Sequence, residues 1–353
     1  MDIEKIVNLP FFFIIGRPRS GTTLLRTLLD AHPNVNIPLE SPIFITLYNK
    51  YKNVGYWNDA IIDNICDDLK KVPKLGSWTI NIGNIRKSLR ESDRKLSFAK
   101  ISKVIYYHYN SLFEKGEIQL LGDKNPPHTE YLGRLINIFP EAKFIYLQRD
   151  YRDQIVSMRK LLSENPAVSI QSYRWKSAYK NFINFKNKFP KNCIEIKYED
   201  LTNNPTEILM KICSFLEIDY EPSMLDFYKI KEKAYSIYPP KIIEKSFKSL
   251  FHPISTKHIF SWKLKLTEKE IRIADIIAGK HAEITGYDRL YKSKGPLTYI
   301  LYLPIIIYGY LIYPLGFKTL NSLPFKWNIG IRQKISTMKG RKMFKLKLYK
   351  DEN

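Results

Sequence analysis

The sequence predicts an α/β fold in three layers, a P-loop-type parallel sheet flanked by helices, with a C-terminal hydrophobic and basic extension. Three observations predict it. Short apolar runs alternate with longer segments of helical period, the pattern of crossover units in a parallel sheet. A polar loop bounded by glycines joins the first apolar run to the first helical segment, as in phosphate-binding loops. Near Lys292 the composition changes: Gly295 to Phe317 carries no charge, and residues 318–350 hold ten Lys or Arg and no acid. A domain over 1–291 and an extension over 292–353 are therefore expected.

The elements follow in order. Phe11–Ile15, Ile118–Leu121, Lys143–Leu147 and Cys193–Lys197 read as buried strands. Each leads through polar or glycine residues into a segment of 3.6 period, at Thr22–Asp30, Glu130–Phe139, Asp153–Leu162 and Thr206–Leu216. In sheets of this kind ligands bind at the carboxyl ends of the strands. The polar motifs all fall there. At 353 residues and 44% hydrophobic, the chain can bury a large core and is not a disordered polymer. Its 57 Lys and Arg against 35 Asp and Glu give +22, which calls for an anionic partner. Cys66, Cys193 and Cys213 are odd in number and far apart, with neither metal spacing nor a disulfide framework. That fits a reducing compartment. "MDIEKIVNLPFFFIIGRPRSG" does not read as a signal peptide, because its apolar run is short and leads straight into the loop. A cytoplasmic location, peripheral on the inner face of a membrane, is expected.

The loop Gly16-Arg-Pro-Arg-Ser-Gly-Thr-Thr23 has the glycine spacing of G-x-x-x-x-G-K-[ST] but carries Thr22 in the lysine position. Two glycines let the backbone turn its N–H groups inward, and the helix that starts at Thr22 adds a positive N-terminal end. The loop's cation is Arg19, inside the loop, which suits a shorter, diester-like anion better than a triphosphate. No acid follows a hydrophobic strand in the Walker-B manner, and no metal is called for. In "KFIYLQRDYRDQIVSM" a strand ends at Arg149 and a helix carries Ser157 eight residues later. The two can grip one phosphate from two sides.

With these two motifs in hand, the sequence resembles the sulfotransferases that use 3′-phosphoadenosine 5′-phosphosulfate (PAPS). "GRPRSGTTLLRTLLDAHP" resembles their 5′-phosphosulfate loop, and "FIYLQRDYRDQIVSM" their 3′-phosphate motif. The "DAHP" variant and the following Glu40 are most similar to tyrosylprotein sulfotransferases and their bacterial relatives. "IKYEDLTNNPTEILMKICSFLEI" also matches a family segment, and the resemblance spans about 10–290. It implies PAPS held by Arg19, Ser20, Gly21, Thr22, Thr23, Arg149 and Ser157, with Tyr198 against the adenosine and Ser246 near the donor. It implies Glu40 as base and Lys124, in "LLGDKNPPHTEYL", at the leaving group, with Arg19 sharing the charge. The chemistry agrees: sulfuryl transfer needs a base for the acceptor hydroxyl and cations for the charge growing on the leaving oxygen. His128 is the fallback base, since many sulfotransferases use a histidine. The related enzymes carry a lysine before the tryptophan matched by Trp262, where this chain has Ser261.

A nucleotide kinase or ATPase is the alternative, opposed by the absent Walker lysine. Nucleic-acid binding lacks any aromatic-interleaved basic motif. The acceptor is expected to bear a hydroxyl, on a lipid, a lipid-linked glycan or another alcohol, with residues 41–115 shaping its pocket. The 23 uncharged residues of 295–317 are long enough to span a bilayer, yet Pro304 and Pro314 interrupt them and five tyrosines are spread along them. A monotopic anchor on an anionic membrane surface is expected, with packing back onto the domain as the other reading.

Overall fold

Phe11–Ile15 forms β1, the centre of the sheet and completely apolar, as a strand covered on both faces must be. This is seen in a computed structural model of the chain, which describes residues 3–160, 166–240, 243–247, 250–292, 302–311 and Trp327. The side chains of Lys245 and Ser246 fall outside the description. The other strands are β2 (Val35–Asn36), β3 (Leu120–Lys124), β4 (Lys143–Gln148) and β5 (Cys193–Lys197). They are ordered β2-β3-β1-β4-β5, and every pairing is parallel. The helices that bear on the site are α1 (Thr22–Asp30), α2 (Tyr151–Met158), α3 (Val168–Lys188), α4 (Pro205–Leu216) and α5 (Glu268–Ala278).

The core is aromatic as well as aliphatic. Phe11 stacks on Phe139 at 4.5 Å, and Phe13 on Phe144 at 5.2 Å. Burying each such ring contributes about 1.5–3 kcal/mol. This packing fixes β1, so the loop that leaves it is placed accurately. A second cluster gathers Tyr151, Trp175, Trp262 and Ile277 between α2, α3 and α5.

Three expectations shift. The strand expected at Ile118–Leu121 lies at Leu120–Lys124, because Ile14 pairs with Lys124 and the ladder runs on through Gly122 and Asp123. Helix α2 begins at Tyr151, two residues early, where Asp150 caps it by accepting from the Arg152 N–H. The helical segment at 130–139 divides into a 3₁₀ turn, Pro126–Glu130, and a helix, Leu132–Ile138. Strand β2 is an addition: two residues carry no readable alternation, yet they pair with Leu120 and Leu121.

The uncharged segment 295–317 lies mostly outside the described residues. Within it, 302–311 is helical. Tyr302, Ile305 and Ile306 pack against the second cluster, and the Tyr310 ring meets Tyr173 of α3 at 4.5 Å. Leu303, Ile307 and Leu311 are exposed. Among the described residues no helix is long and apolar enough to cross a membrane.

Candidate active site

Strands β1, β3 and β4 all release polar loops at their carboxyl ends, and β3 and β4 lie on opposite sides of β1. The chain thus reverses its direction across the sheet here, which opens a crevice. The loop after β1 has the shape expected of an anion cradle. Gly16, Arg19 and Gly21 all have positive φ, at 142°, 70° and 92°. A Cβ on Gly21 would lie 2.4 Å from the Tyr198 ring, so only glycine lets Tyr198 close over the loop. Gln154 of α2 donates to the Ser20 hydroxyl at 2.8 Å, tying the loop to the second motif. Thr22 is buried at the start of α1, and Thr23 follows it.

The two arginines meet. Arg19 Nε donates to Ser157 Oγ at 3.0 Å, and Arg149 donates to the Arg19 carbonyl at 3.1 Å and the His258 carbonyl at 2.8 Å. The Arg149 guanidinium lies 4.3 Å from the centre of the Tyr198 ring. Its buried Nε has no hydrogen-bond partner among the described residues. Two cations, a hydroxyl and a free donor around one spot are the donor set a phosphate needs.

Glu40 stands four residues beyond β2, at the carboxyl edge of the sheet. It does not cap the helix Ile43–Tyr51, which has no side-chain cap. Lys124, the last residue of β3, is buried and donates to Glu40 Oε1 at 2.5 Å and to Thr23 Oγ1 at 3.3 Å. Lys74 donates to Glu40 Oε2 at 2.6 Å from the open side. Burial would push the Glu40 carboxyl up, but Lys124 first and Lys74 second hold it well below the usual carboxylate range. Glu40 is thus an ionised carboxylate with a cation on each oxygen.

The predicted residues therefore form two adjoining groups. Glu40, Lys124 and Thr23 make one; Arg19, Ser20, Gly21, Arg149, Ser157 and Tyr198 make the other. Arg19 turns to Ser157, though it still feels the Glu40 charge. Ser246 cannot be assigned to either, its side chain being outside the description. His128 belongs to neither. It is fully buried, with Nδ1 2.8 Å from Asp123 Oδ2 and its ring packed against Phe13 and Phe44.

Sequence reasoning missed the supports. Asp153 accepts from the Phe260 and Trp262 N–H groups and from the Ser261 hydroxyl, at 2.8–2.9 Å, so it fastens the segment that reaches Arg149 through His258. The serine in place of lysine is a ligand of Asp153. Lys74 was missed as well, for it lies in a region with no motif. Among the described residues no group of His, Cys, Asp or Glu could hold a metal ion.

Comparison with known proteins adds to this geometry. A family model described as the sulfotransferase family matches residues 10–222. The chain is 26% identical over 287 residues to protein-tyrosine sulfotransferase 1 of Danio rerio, covering 80% of this chain and 73% of that protein. It is 24% identical over 289 residues to protein-tyrosine sulfotransferase A of Caenorhabditis elegans, covering 79% and 67%. Among solved structures, the sulfotransferase domain of the Synechococcus olefin synthase is similar in fold. Its TM-score is 0.50 at 21% identity, with 76% of this chain and 94% of that one covered.

Proposed function

Because the chain belongs to the sulfotransferase family and moves a sulfuryl group from PAPS to a hydroxyl-bearing acceptor, we propose that Glu40 is the base of that transfer and a protein tyrosine the acceptor. The observation that carries the base assignment is the Glu40–Lys124 contact beside Thr23, at the mouth of the glycine loop. PAPS supplies a sulfuryl group whose bond to the 5′-phosphate oxygen breaks as the bond to the acceptor oxygen forms. Glu40 takes the acceptor's proton. Lys124 supplies a fixed cation for the negative charge that grows on the departing oxygen, and Arg19, which rests on Ser157, is assigned to share that charge, the kind of pre-set electrostatics that contributes most to such steps. The Arg149 and Ser157 pair, with its unpartnered Arg149 Nε, fits the 3′-phosphate. Tyr198, closed over Gly21, fits beside the adenosine. Family membership leaves the kinase or ATPase reading without support.

The acceptor assignment rests on the relatives, which are named for protein tyrosine. They favour a phenol over the lipid or lipid-linked glycan that the tail suggested. A phenol also suits a weakly basic carboxylate, since its proton, with pKa near 10, leaves far more readily than an alcohol's. Labelled sulfate from PAPS should pass to a tyrosine peptide, and not to the matching serine peptide or to a sugar panel. Transfer to sugars alone would remove the tyrosine reading.

A second reading concerns location. The helix over 302–311 docks on α3 through one face and turns Leu303, Ile307 and Leu311 outward. An apolar strip beside a basic tail suits the interface of an anionic membrane, and supports a monotopic contact that keeps the catalytic domain 1–291 beside the bilayer.

A further inference from the structure

Lys74 is placed with more care than a surface lysine requires. Its φ is 67°, in the left-handed region that glycine and asparagine favour. A lysine held there is strained, and such strain persists where the surroundings impose it. The surroundings are visible. The turn that carries Lys74 is fastened to the loop that carries Glu40 on both sides. Trp78 Nε1 donates to the Leu39 carbonyl at 2.6 Å, and the Ser41 hydroxyl donates to the Pro73 carbonyl at 3.3 Å. Leu75 and Trp78 anchor the same turn in the core. Backbone geometry thus aims Lys74 at Glu40 Oε2, the one carboxylate oxygen that Lys124 does not hold.

The two lysines differ in freedom. Lys124 is 3% exposed and cannot leave. Lys74 is 59% exposed and can swing into water while its backbone stays fixed. An oxygen covered by an ammonium cannot accept a proton. We propose that Lys74 is a latch on the base, a positioning residue that covers Glu40 Oε2 while no acceptor is present and gives that oxygen up to an entering acceptor hydroxyl. This rests on Glu40 being the base. The latch matters because water can also be the acceptor. A water that lost its proton to Glu40 would attack the sulfur, break the bond to the 5′-phosphate oxygen and release sulfate and the 3′,5′-bisphosphate. Lys74 suppresses that loss of donor.

The test is acceptor-free hydrolysis of PAPS by the full chain, followed as release of the bisphosphate. Lys74→Gly removes the ammonium and suits the backbone at φ 67°, so the fold is kept. Hydrolysis should rise roughly fivefold, the scale of one partly exposed ion pair. Lys74→Arg should restore the wild-type rate. In a Glu40→Gln background, Lys74→Gly should change nothing. No rise, or a fall, in Lys74→Gly overturns the latch, and so does a rise that persists without Glu40. Failure of the base assignment looks different: Glu40→Gln alone would then transfer sulfate to a tyrosine peptide at the wild-type rate.

Discussion

In the mechanism we propose, the Glu40 carboxylate is the residue on which the chemistry turns, and its environment makes a specific demand on pH dependence. Two ammonium groups, Lys124 first and Lys74 second, hold it well below the ordinary carboxylate range, so it is ionised around neutral pH. A group with a depressed folded pKa contributes its stability above the unfolded value, about 4.3 for Glu, and loses it only as pH falls through the lower folded one. Transfer should therefore show no acid limb between about pH 5 and 8; a histidine base would bring a limb near 6.5. A pH–rate profile decides between them, and an acid limb in that window would move the base away from Glu40. At the other end of the site, Arg149→Ala should weaken the 3′,5′-bisphosphate by about 1.5–3 kcal/mol, the weight of a charge-assisted hydrogen bond. It should do little to a nucleotide that lacks the 3′-phosphate. Calorimetry with both ligands checks this, and equal losses would take Arg149 out of the phosphate site.

At the scale of elements, the four strands read from the sequence are found, because each holds apolar residues between polar turns, although β3 lies two residues later and runs on through Gly122 to Lys124. What could not be read is also physical. Strand β2 has two residues and is held by pairing with β3, so no local pattern announces it, yet it carries Glu40 to the sheet's edge. The 3₁₀ turn and the early start of α2 are set by capping and tertiary contacts, which periodicity does not encode. The glycine loop was legible to the residue, since its spacing is a consequence of backbone geometry. That geometry yields a prediction. Gly21→Ala places a Cβ against Tyr198 at a φ of 92°, and should cost about 1–3 kcal/mol of stability together with donor affinity. Thermal melts with and without the bisphosphate measure both, and an unchanged melt would show that the loop relaxes freely. Lys74 marks the limit of sequence reading, for its role depends on a turn 34 residues from Glu40 meeting it in space.

For the whole molecule, the proposed function gives the +22 of charge two uses. Part of it surrounds the proposed donor site through Arg19, Lys124 and Arg149. Another part falls in the sequence beyond 317, which follows the segment containing the docked helix over 302–311. If that helix meets a membrane, Leu303→Glu with Ile307→Glu and Leu311→Glu should abolish sedimentation with anionic vesicles and leave bisphosphate affinity intact. Retained sedimentation would mean that the outer face of the helix is not the contact. The central claim, that this crevice binds a bisphosphate donor in one half and removes a proton in the other, is tested most directly by separating the two in Glu40→Gln. The variant should bind 3′,5′-bisphosphate as the wild type does by calorimetry, while transfer from PAPS to a tyrosine peptide falls about 10²–10⁴-fold, the usual weight of a general base. Wild-type transfer in the variant would contradict the claim.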